Sequence, residues 1–319
     1  MFDSFYLAKG LALYHSLLKV SNDFHLYVMA FDKNSYDFLK KKEYSNLTVQ
    51  WLDNFETPEL KAVKGSRTRG EYCWTCGPSV ISYFMTTYNL PSLTYIDADM
   101  VFYSNPQVHF DEIGDANIAV SPHFIKHDAA GSFCVQFNYF RNNTSGLKAL
   151  NWWKDSCIEW CFNKYEDGKY GDQGYVEQFP ARFDKVHIME HRGTGVASWN
   201  MNNYKIDADK KSITYRGTSY PIVFFHYHGT SLEVKDSTLV MTTKEFDIKK
   251  GAQQALYEQY LALLKDVYCN DLKINIKSYC IKKRSPLKRI NFYIRGILRN
   301  NKVVRWLYYD VLKQRNTAG

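Results

Sequence analysis

Short apolar segments alternate with longer amphipathic segments over most of this chain, and this alternation constrains the fold more than any other feature of the sequence. The short segments are rich in β-branched and aromatic residues, as buried strands are, and the longer ones carry apolar residues at helical spacing. Strands that alternate with helices favour βαβ units and a mostly parallel sheet. We predict strands at 24–31, 47–52, 93–96, 117–120, 133–140 and 222–225, and helices at 10–20, 35–44, 78–88, 145–164 and 251–268.

The formal charge of +8 is concentrated at one end of the 319-residue chain. Residues 282–319 hold eleven basic residues and one acidic residue, which leaves a net charge of −2 on the rest. Apolar and aromatic residues are interleaved with these basic ones, a pattern typical of helices that lie on anionic membranes. We predict a membrane-associating tail at 282–319, with a helix pair docked on the body as the alternative. Because the body is slightly acidic, we expect no nucleic-acid partner, and a nucleic-acid-binding protein stays an alternative that only the basic tail suggests.

Seven cysteines at irregular spacing, with no pattern of a secretory signal, favour reduced thiols in a cytoplasmic chain. Cys73 and Cys76 could form a redox motif or half of a zinc site, but buried free thiols are the commoner use of such residues. No segment approaches the roughly 20 apolar residues of a membrane-spanning helix. Together with the basic tail, this predicts a cytoplasmic protein that is peripheral on the inner face of the cell membrane.

Two carboxylates, Asp97 and Asp99, directly follow the predicted strand 93–96. From a tight turn at the carboxyl end of a strand, both can reach one divalent cation. Carboxylate oxygens suit hard ions such as Mg²⁺ and Mn²⁺, which bridge them to substrate phosphates. Asp-x-Asp alone is common in solvated turns, so its place after a buried strand is what predicts a metal site.

A second motif, His226-Tyr227-His228-Gly229, follows the predicted strand 222–225. A histidine at a strand end can complete a coordination sphere that two aspartates begin, and we take His226 as the ligand with His228 as the alternative. Gly229 would let the backbone approach a phosphate closely. Without the two aspartates, a pair of structural histidines would be the simpler interpretation.

The order of these motifs resembles the metal-dependent nucleotide-sugar transferases with the GT-A fold, most of all glycosyltransferase family 8 and its bacterial relatives. The resemblance runs from Asp3 to about His228 and implies an α/β fold, with a Rossmann-like mixed sheet flanked by helices. It implies Mn²⁺ or Mg²⁺ as the cofactor and a nucleotide-sugar donor, expected to be UDP-hexose. It also implies a glycan or lipid-linked acceptor in bacterial surface polysaccharide or lipopolysaccharide synthesis.

Single residues carry over from this resemblance by position. The segment from Asp3 to Tyr6 resembles one that holds the nucleotide base, with Phe5 where the family has Asn. The family's Arg two positions after Tyr72 is here Trp74, so a nearby arginine could contact phosphate instead. Asp172 and Gln173 resemble an Asp-Gln pair beside the transferred sugar and are the candidate catalytic residues. The expected donor-binding residues are Asp3, Tyr6, Arg67, Arg69, Tyr72, Asp97, Ala98, Asp99 and Gly229, with Lys235 as a weaker candidate, and the expected metal ligands are Asp97, Asp99 and His226.

We predict one GT-A domain over 1–281, followed by the tail 282–319. Within the domain we expect a nucleotide-binding half at 1–121, an acceptor and sugar half at 122–235 and a helical end at 236–281. In the family a complete strand precedes the Asp3 segment, whereas only Met1 and Phe2 do so here. A missing strand would leave backbone groups of its neighbours unpaired, so we expect a truncated or misassigned start, or else a weakened donor site.

The resemblance implies retention at the anomeric carbon. The residues alone leave an inverting route open, because Asp128 or Asp172 could act as its base. A sugar-phosphate nucleotidyltransferase is one alternative, but it would need a Gly-rich phosphate loop near the N-terminus, and the sequence has none there. The departures at Phe5 and Trp74 keep a catalytically weakened GT-A-fold binding or scaffold protein as the other.

Overall fold

The structure, a computed structural model, describes residues 1–125, 131–235, 238–243 and 246–274. Met1–Glu233 and Leu239–Ile274 pack together as one unit. The predictions for the tail 282–319 and for Asp128 fall outside the described residues, as does the side chain of Lys235. The predicted domain limits stay predictions.

Helices and strands alternate along the first half of the chain much as predicted. The helices in the described ranges are α1 (Leu7–Val20), α2 (Lys33–Lys42), α3 (Leu52–Phe55), α4 (Pro58–Lys64), α5 (Arg69–Thr87), α6 (Gln107–Ile113), α7 (Thr144–Glu159), α8 (Gln173–Val176), α9 (Phe179–Arg182) and α10 (Ala252–Asp266). The strands are β1 (Leu26–Ala30), β2 (Leu47–Trp51), β3 (Ser92–Ile96), β4 (Met100–Phe102), β5 (Ile118–Pro122), β6 (Phe133–Arg141), β7 (Tyr165–Glu166), β8 (Lys169–Tyr170), β9 (Val186–Ile188), β10 (Val196–Ala197), β11 (Lys205–Asp207), β12 (Ser212–Tyr215), β13 (Thr218–Pro221), β14 (Phe224–His226), β15 (Thr230–Lys235) and β16 (Thr238–Thr243).

The four-stranded sheet has the order β3-β6-β5-β9 and is mixed, as the resemblance implies. Strand β6 is antiparallel to both β3 and β5, and β9 is parallel to β5. A second sheet, β10-β14-β4, also combines a parallel with an antiparallel pair. The prediction of a mostly parallel sheet is therefore wrong. Only ten residues, 123–132, separate β5 from β6, and a parallel pair needs a crossover connection of about a dozen residues or more.

Strand β6 packs against helices on both of its faces. Phe140 joins a buried cluster with Ile81 of α5 and Trp153 of α7. Phe137, which points to the opposite face, joins a different cluster with Leu17 of α1. Because successive side chains of a strand alternate between faces, this division places one helical layer on each side of the sheet. The predicted flanking of a mixed sheet by helices is confirmed.

Helix α5 begins nine residues before the predicted helix 78–88. Thr68 caps it, because its hydroxyl accepts the Glu71 N–H while the Glu71 carboxylate accepts the Thr68 N–H, a reciprocal capping box. Pro78 therefore lies inside the helix and not in its first turn, where proline is most common. The prediction placed the helix start at the proline and missed the cap.

Phe2 pairs with the edge of β1 that β2 does not occupy. Its N–H donates to the Met29 carbonyl at 3.1 Å, and its carbonyl accepts the Phe31 N–H at 2.8 Å. The ring of Phe2 lies so close to Gly10 of α1 that a Cβ there would be 2.4 Å from it. Helix α1 thus rests directly on the first residues of the described chain. The expectation of a truncated start or a weakened donor site stays a prediction.

Residues 168–203 contain β8, α8, α9, β9, β10 and a 3₁₀ helix at Met201–Asn203, each only two to four residues long. About half of this segment is therefore loop. Across the described ranges, none of the helices combines the length and the apolar character needed to cross a bilayer.

Candidate active site

The turn Asp97-Ala98-Asp99 lies where the chain passes from one sheet to the other. Strand β3 ends just before it, and the Asp97 N–H donates to the Gln136 carbonyl of β6 at 3.3 Å. Strand β4 begins just after it and pairs with β14 so that Met100 lies opposite His226. The Tyr227 N–H adds a bond of 2.9 Å to the Asp99 carbonyl. Backbone pairing alone therefore brings the two predicted motifs to one point.

The side chains of these motifs meet at that point. His226 Nε2 is 3.0 Å from Asp99 Oδ1 and 3.7 Å from Asp97 Oδ2. The other oxygen of Asp97 accepts the Tyr95 hydroxyl at 3.0 Å. Asp99 and His226 are buried, whereas 30% of the Asp97 side chain is exposed. One carboxylate is therefore enclosed by protein and the other is open to a ligand.

Gln136 fixes the orientation of the His226 ring. Its Oε1 lies 2.8 Å from His226 Nδ1, and because an amide oxygen only accepts, Nδ1 carries a hydrogen and donates it. The amide nitrogen of Gln136 donates to Ser121 Oγ at 3.2 Å. Gly195 leaves room for this arrangement, since a Cβ there would lie 2.6 Å from the Gln136 amide nitrogen. His226 Nε2 is thereby directed at the two aspartates.

The charges of these groups are coupled. Burial would lower the pKa of His226, but the carboxylates of Asp99 and Asp97 raise it overall. Burial would raise the pKa of Asp99, but the charge and hydrogen bond of His226 and the charge of Lys9 hold it well below its usual range. Burial raises the pKa of Asp97. Asp99 and His226 therefore form a charged pair, and Asp97 is the easier of the two carboxylates to protonate.

Lys9 is a buried cation that the sequence analysis did not identify. Its Nζ lies 3.4 Å from Asp99 Oδ2, donates to the Thr230 carbonyl at 3.1 Å and lies 4.5 Å from the centre of the Tyr6 ring. The predicted helix began one residue later, at Gly10, and so excluded it. A lysine inside the apolar run Leu7–Leu13 was the available signal, because lysine is almost never fully buried without a partner.

Asp3, Tyr6 and Arg69 lie together on the α1 side of this centre. Asp3 Oδ1 accepts the Phe5 and Tyr6 N–H groups at 2.8 and 3.2 Å, and its other oxygen pairs with Arg69. Burial, followed by the charges of Asp99 and Asp97, raises the pKa of Tyr6. Phe5, at the position where the family has Asn, is 80% exposed. Of the expected donor-binding residues, these three are held in one group beside Lys9.

Two of the expected donor-binding residues have other partners. The Arg67 guanidinium lies 3.8 Å from the centre of the Phe162 ring and donates to the Ile158 carbonyl of α7 at 3.2 Å. The Tyr72 hydroxyl donates to Glu56 at 2.5 Å. Neither of these contacts involves the two aspartates or His226. Any role of Arg67 and Tyr72 in donor binding stays a prediction.

Asp172 and Gln173 stand at the start of α8. Asp172 is buried, and its carbonyl accepts the Trp153 indole N–H at 2.9 Å. Burial, with the nearby charge of Asp97, raises the pKa of Asp172 to about 7. The charge of Asp97 therefore affects the ionisation of Asp172, although no contact between the Asp97 and Asp172 side chains is described. The catalytic roles of Asp172 and Gln173 stay predictions.

The remaining expected residues are backbone positions. Ala98 lies between the two aspartates, partly buried against the core, and Gly229 follows His228 with a φ of 72°. That φ lies in the left-handed region, which favours glycine. Both residues are therefore placed at the turns that carry the site.

The carboxylate oxygens and the imidazole nitrogen around Asp97 are of the types that bind divalent cations. Two carboxylates and one imidazole converge, and the second ring nitrogen of the imidazole is fixed by a carbonyl oxygen, as is usual for metal-binding histidines. Within the described ranges, no group of three or more His, Cys, Asp or Glu is spaced as a finished metal site. Asp99 and His226 instead contact each other directly, so a cation would have to displace the proton they share.

Comparison with solved structures identifies the fold. The galactosyltransferase LgtC, solved in complex with donor and acceptor sugar analogues, superposes with a TM-score of 0.50 at 12% sequence identity, over 83% of this chain and 94% of LgtC. At this identity the similarity shows the fold alone. The chain therefore shares the fold of LgtC, the GT-A fold that the motifs imply, with a mixed sheet flanked by helices.

Sequence comparison finds two similar proteins of Bacillus subtilis (strain 168). YfnD, an uncharacterized protein, is 31% identical over 252 residues, which are 76% of this chain and 78% of YfnD. YfnF, also uncharacterized, is 28% identical over 236 residues, which are 70% of this chain and 78% of YfnF. No family model matches the chain.

Gly195→Ala should lower the free energy of unfolding by about 3 kcal/mol, because the new Cβ would lie 2.6 Å from the Gln136 amide at a φ of +76°. Gly217 is the matched control, since its φ is +86° but nothing lies within 4 Å of its Cβ position. Gly217→Ala should cost only about 1 kcal/mol. Urea unfolding measures both variants, and equal losses would show that Gln136 does not depend on the space at Gly195.

The raised pKa of Asp172 predicts a specific pH dependence of stability. A carboxyl with a pKa of about 7 in the folded state and an ordinary pKa in the unfolded state favours folding at low pH, and this advantage is lost as the pH rises through about 7. Between pH 5 and pH 8, Asp172→Asn should therefore gain about 2–3 kcal/mol of unfolding free energy relative to the wild type. Urea unfolding at both pH values tests this, and a pH-independent difference would contradict the buried, uncharged carboxyl.

Proposed function

Because the chain belongs to the family of Bacillus subtilis YfnD and has the GT-A fold, we propose that it transfers a sugar from a nucleoside diphosphate, expected to be UDP, to a hydroxyl group. The observation that carries this proposal is the convergence of Asp97, Asp99 and His226 at the junction of two sheets. Open α/β sheets bind ligands outside the carboxyl ends of their strands, and the two carboxylates and the imidazole lie at such an end. Following the resemblance of the motifs, we propose an activity of the kind found in glycosyltransferase family 8.

We assign Asp97, Asp99 and His226 to hold Mn²⁺ or Mg²⁺. A cation bound there would stabilise the negative charge that develops on the departing diphosphate. Asp97 offers the most accessible oxygen, and Gln136 keeps His226 Nε2 directed at the same point. His228 remains the alternative imidazole ligand.

The residues on the α1 side would bind the donor. Lys9 places an ammonium group next to Asp99, and Arg69 is a second cation on the same side of the centre. Two cations suit a diphosphate, because oriented positive groups stabilise it without moving during the reaction. Asp3 holds the N-terminal turn of α1 in place through the Phe5 and Tyr6 amides, so its contribution would be to shape the base-binding surface.

Asp172 and Gln173 would position the transferred sugar. A carboxyl with a pKa of about 7 can accept a hydrogen bond from a sugar hydroxyl when charged and donate one when neutral. We propose a hexose as the transferred sugar and retention as the stereochemical outcome, following the family 8 resemblance. The proposed acceptor is a glycan or lipid-linked sugar of bacterial surface polysaccharide or lipopolysaccharide synthesis.

UDP should raise the melting temperature of the wild type only when Mn²⁺ is present, because a cation held by Asp97, Asp99 and His226 would offset the negative charge of the diphosphate. At a UDP concentration of 100 times Kd the gain is about 2.7 kcal/mol. Asp97→Asn and Asp99→Asn should lose this gain, and Asp155→Asn, which changes an exposed carboxylate on α7, should keep it. Thermal unfolding with Mn²⁺ or with EDTA measures it. Equal stabilisation by UDP in EDTA would show that binding needs no cation. No stabilisation with either Mn²⁺ or EDTA would show that the site does not bind UDP.

The basic tail should direct the enzyme to anionic membranes. Changing Lys282, Lys283 and Arg284 to Gln should weaken binding to vesicles with 30% phosphatidylglycerol by about a hundredfold, at about 1 kcal/mol for each lost charge. Changing Lys40, Lys41 and Lys42, three consecutive lysines at the end of α2, removes the same charge from the body and should have little effect. Vesicle co-sedimentation measures both variants. Equal losses would mean that net charge, and not the tail, sets membrane binding.

A further inference from the structure

Trp199 stands beside His226 because of the register of β10. That strand is parallel to β14 with Ala197 opposite His226, and Trp199 follows two residues later. The centre of its indole ring is 5.2 Å from the His226 ring and 5.7 Å from the His228 ring, with both pairs edge to face. The side chain therefore lines the same centre as the aspartates, on the side of the two histidines.

Trp199 is held in this position by hydrogen bonds. Its indole N–H donates to the His123 carbonyl at 3.2 Å, and the buried side chain of Asn200 donates to the same carbonyl at 2.9 Å. The preceding residue is fixed as well, because the Ser198 hydroxyl donates to the His228 carbonyl at 3.1 Å. A ring fixed in this way loses little conformational freedom when a ligand packs against it.

Trp199 stays partly exposed although the residues on either side of it are buried, and His228 is exposed next to it. A fixed, partly exposed indole beside a polar centre is a typical lining for a small-ligand site. The faces of an indole are electron-rich and apolar, and they suit a ring that offers C–H groups on one face. A pyranose has this character, with its hydroxyls around the edge where polar groups can reach them.

The two oxygens of Asp99 divide the site into two sides. Oδ2 faces Lys9 and Tyr6, the side proposed for the nucleotide, and Oδ1 faces His226, which Trp199 contacts. We infer that Trp199, with His228 at its edge, is the surface on which a pyranose ring of the acceptor packs. This inference rests on the proposed function. It specifies that the acceptor is a carbohydrate and that the indole of Trp199 binds it.

Fluorine NMR of the full chain labelled with 5-fluorotryptophan tests this inference without a nucleotide. The chain has seven tryptophans, and the resonance missing from Trp199→Phe identifies Trp199. We expect that resonance to shift with at least one of four probes, the α and β methyl pyranosides of glucose and galactose. The resonance of Trp160, a partly exposed tryptophan at the end of α7, should not shift, and glycerol should move neither.

The affinity of the variants provides a second readout. Trp199→Ala should raise the Kd for the responding glycoside about tenfold or more. Trp199→Phe should raise it less, because a ring remains, and Trp160→Ala should leave it unchanged. The inference would be overturned if the Trp199 resonance does not shift with any of the four glycosides, or if glycerol shifts it as much as they do. A shift with UDP and Mn²⁺ but with no glycoside would assign the ring to the donor instead. Failure of the proposed function appears separately, as no response of the wild type to UDP and Mn²⁺.

Discussion

The buried carboxylate of Asp99 is the group on which the rest of the site depends. A charged carboxylate away from water is costly unless it is paired and hydrogen-bonded, and Asp99 has a partner on each oxygen, His226 on one and Lys9 on the other. Each partner comes from a different element, β14 and α1. The ion pairs of Asp99 therefore help to hold β14 and α1 against the turn that follows β3.

This arrangement explains the geometry around it. His226 can meet Asp99 only because β14 pairs with β4 in one register, and a shift of one residue would turn the imidazole to the other face. Gln136 of β6 reaches the same imidazole, so a side-chain hydrogen bond joins the four-stranded sheet to the sheet of β4, β14 and β10 at the site. The side proposed for the nucleotide and the side proposed for the sugar then lie at the two oxygens of one carboxylate.

The sequence was sufficient for the parts of the site that are local. Asp97 and Asp99 follow an apolar strand, and His226 ends another, so each motif could be read from its own neighbours. Lys9 and Gln136 could not be found in this way, because their roles arise only when α1 and β6 pack against the turn. The six predicted strands lie within a few residues of β1, β2, β3, β5, β6 and β14, but ten other described strands, β4 among them, were not predicted. The predicted mutual direction of the strands was wrong as well, since the alternation of strands and helices does not fix the direction of each pair. The start of α5 was predicted at Pro78 because proline is most common in the first turn of a helix. The helix instead begins at Arg69, where the capping box at Thr68 satisfies its first N–H groups.

We propose that this site binds a sugar nucleotide through Asp97 and Asp99 and breaks the bond between the anomeric carbon and the diphosphate. The most direct measurement is release of the free nucleotide from a panel of UDP-sugars, with Mn²⁺ or EDTA, for the wild type and Asp97→Asn. We predict release from at least one UDP-sugar with Mn²⁺, little release in EDTA and little from the variant. If no UDP-sugar binds or releases its nucleotide, or if Asp97→Asn releases it as fast as the wild type does, the claim is contradicted.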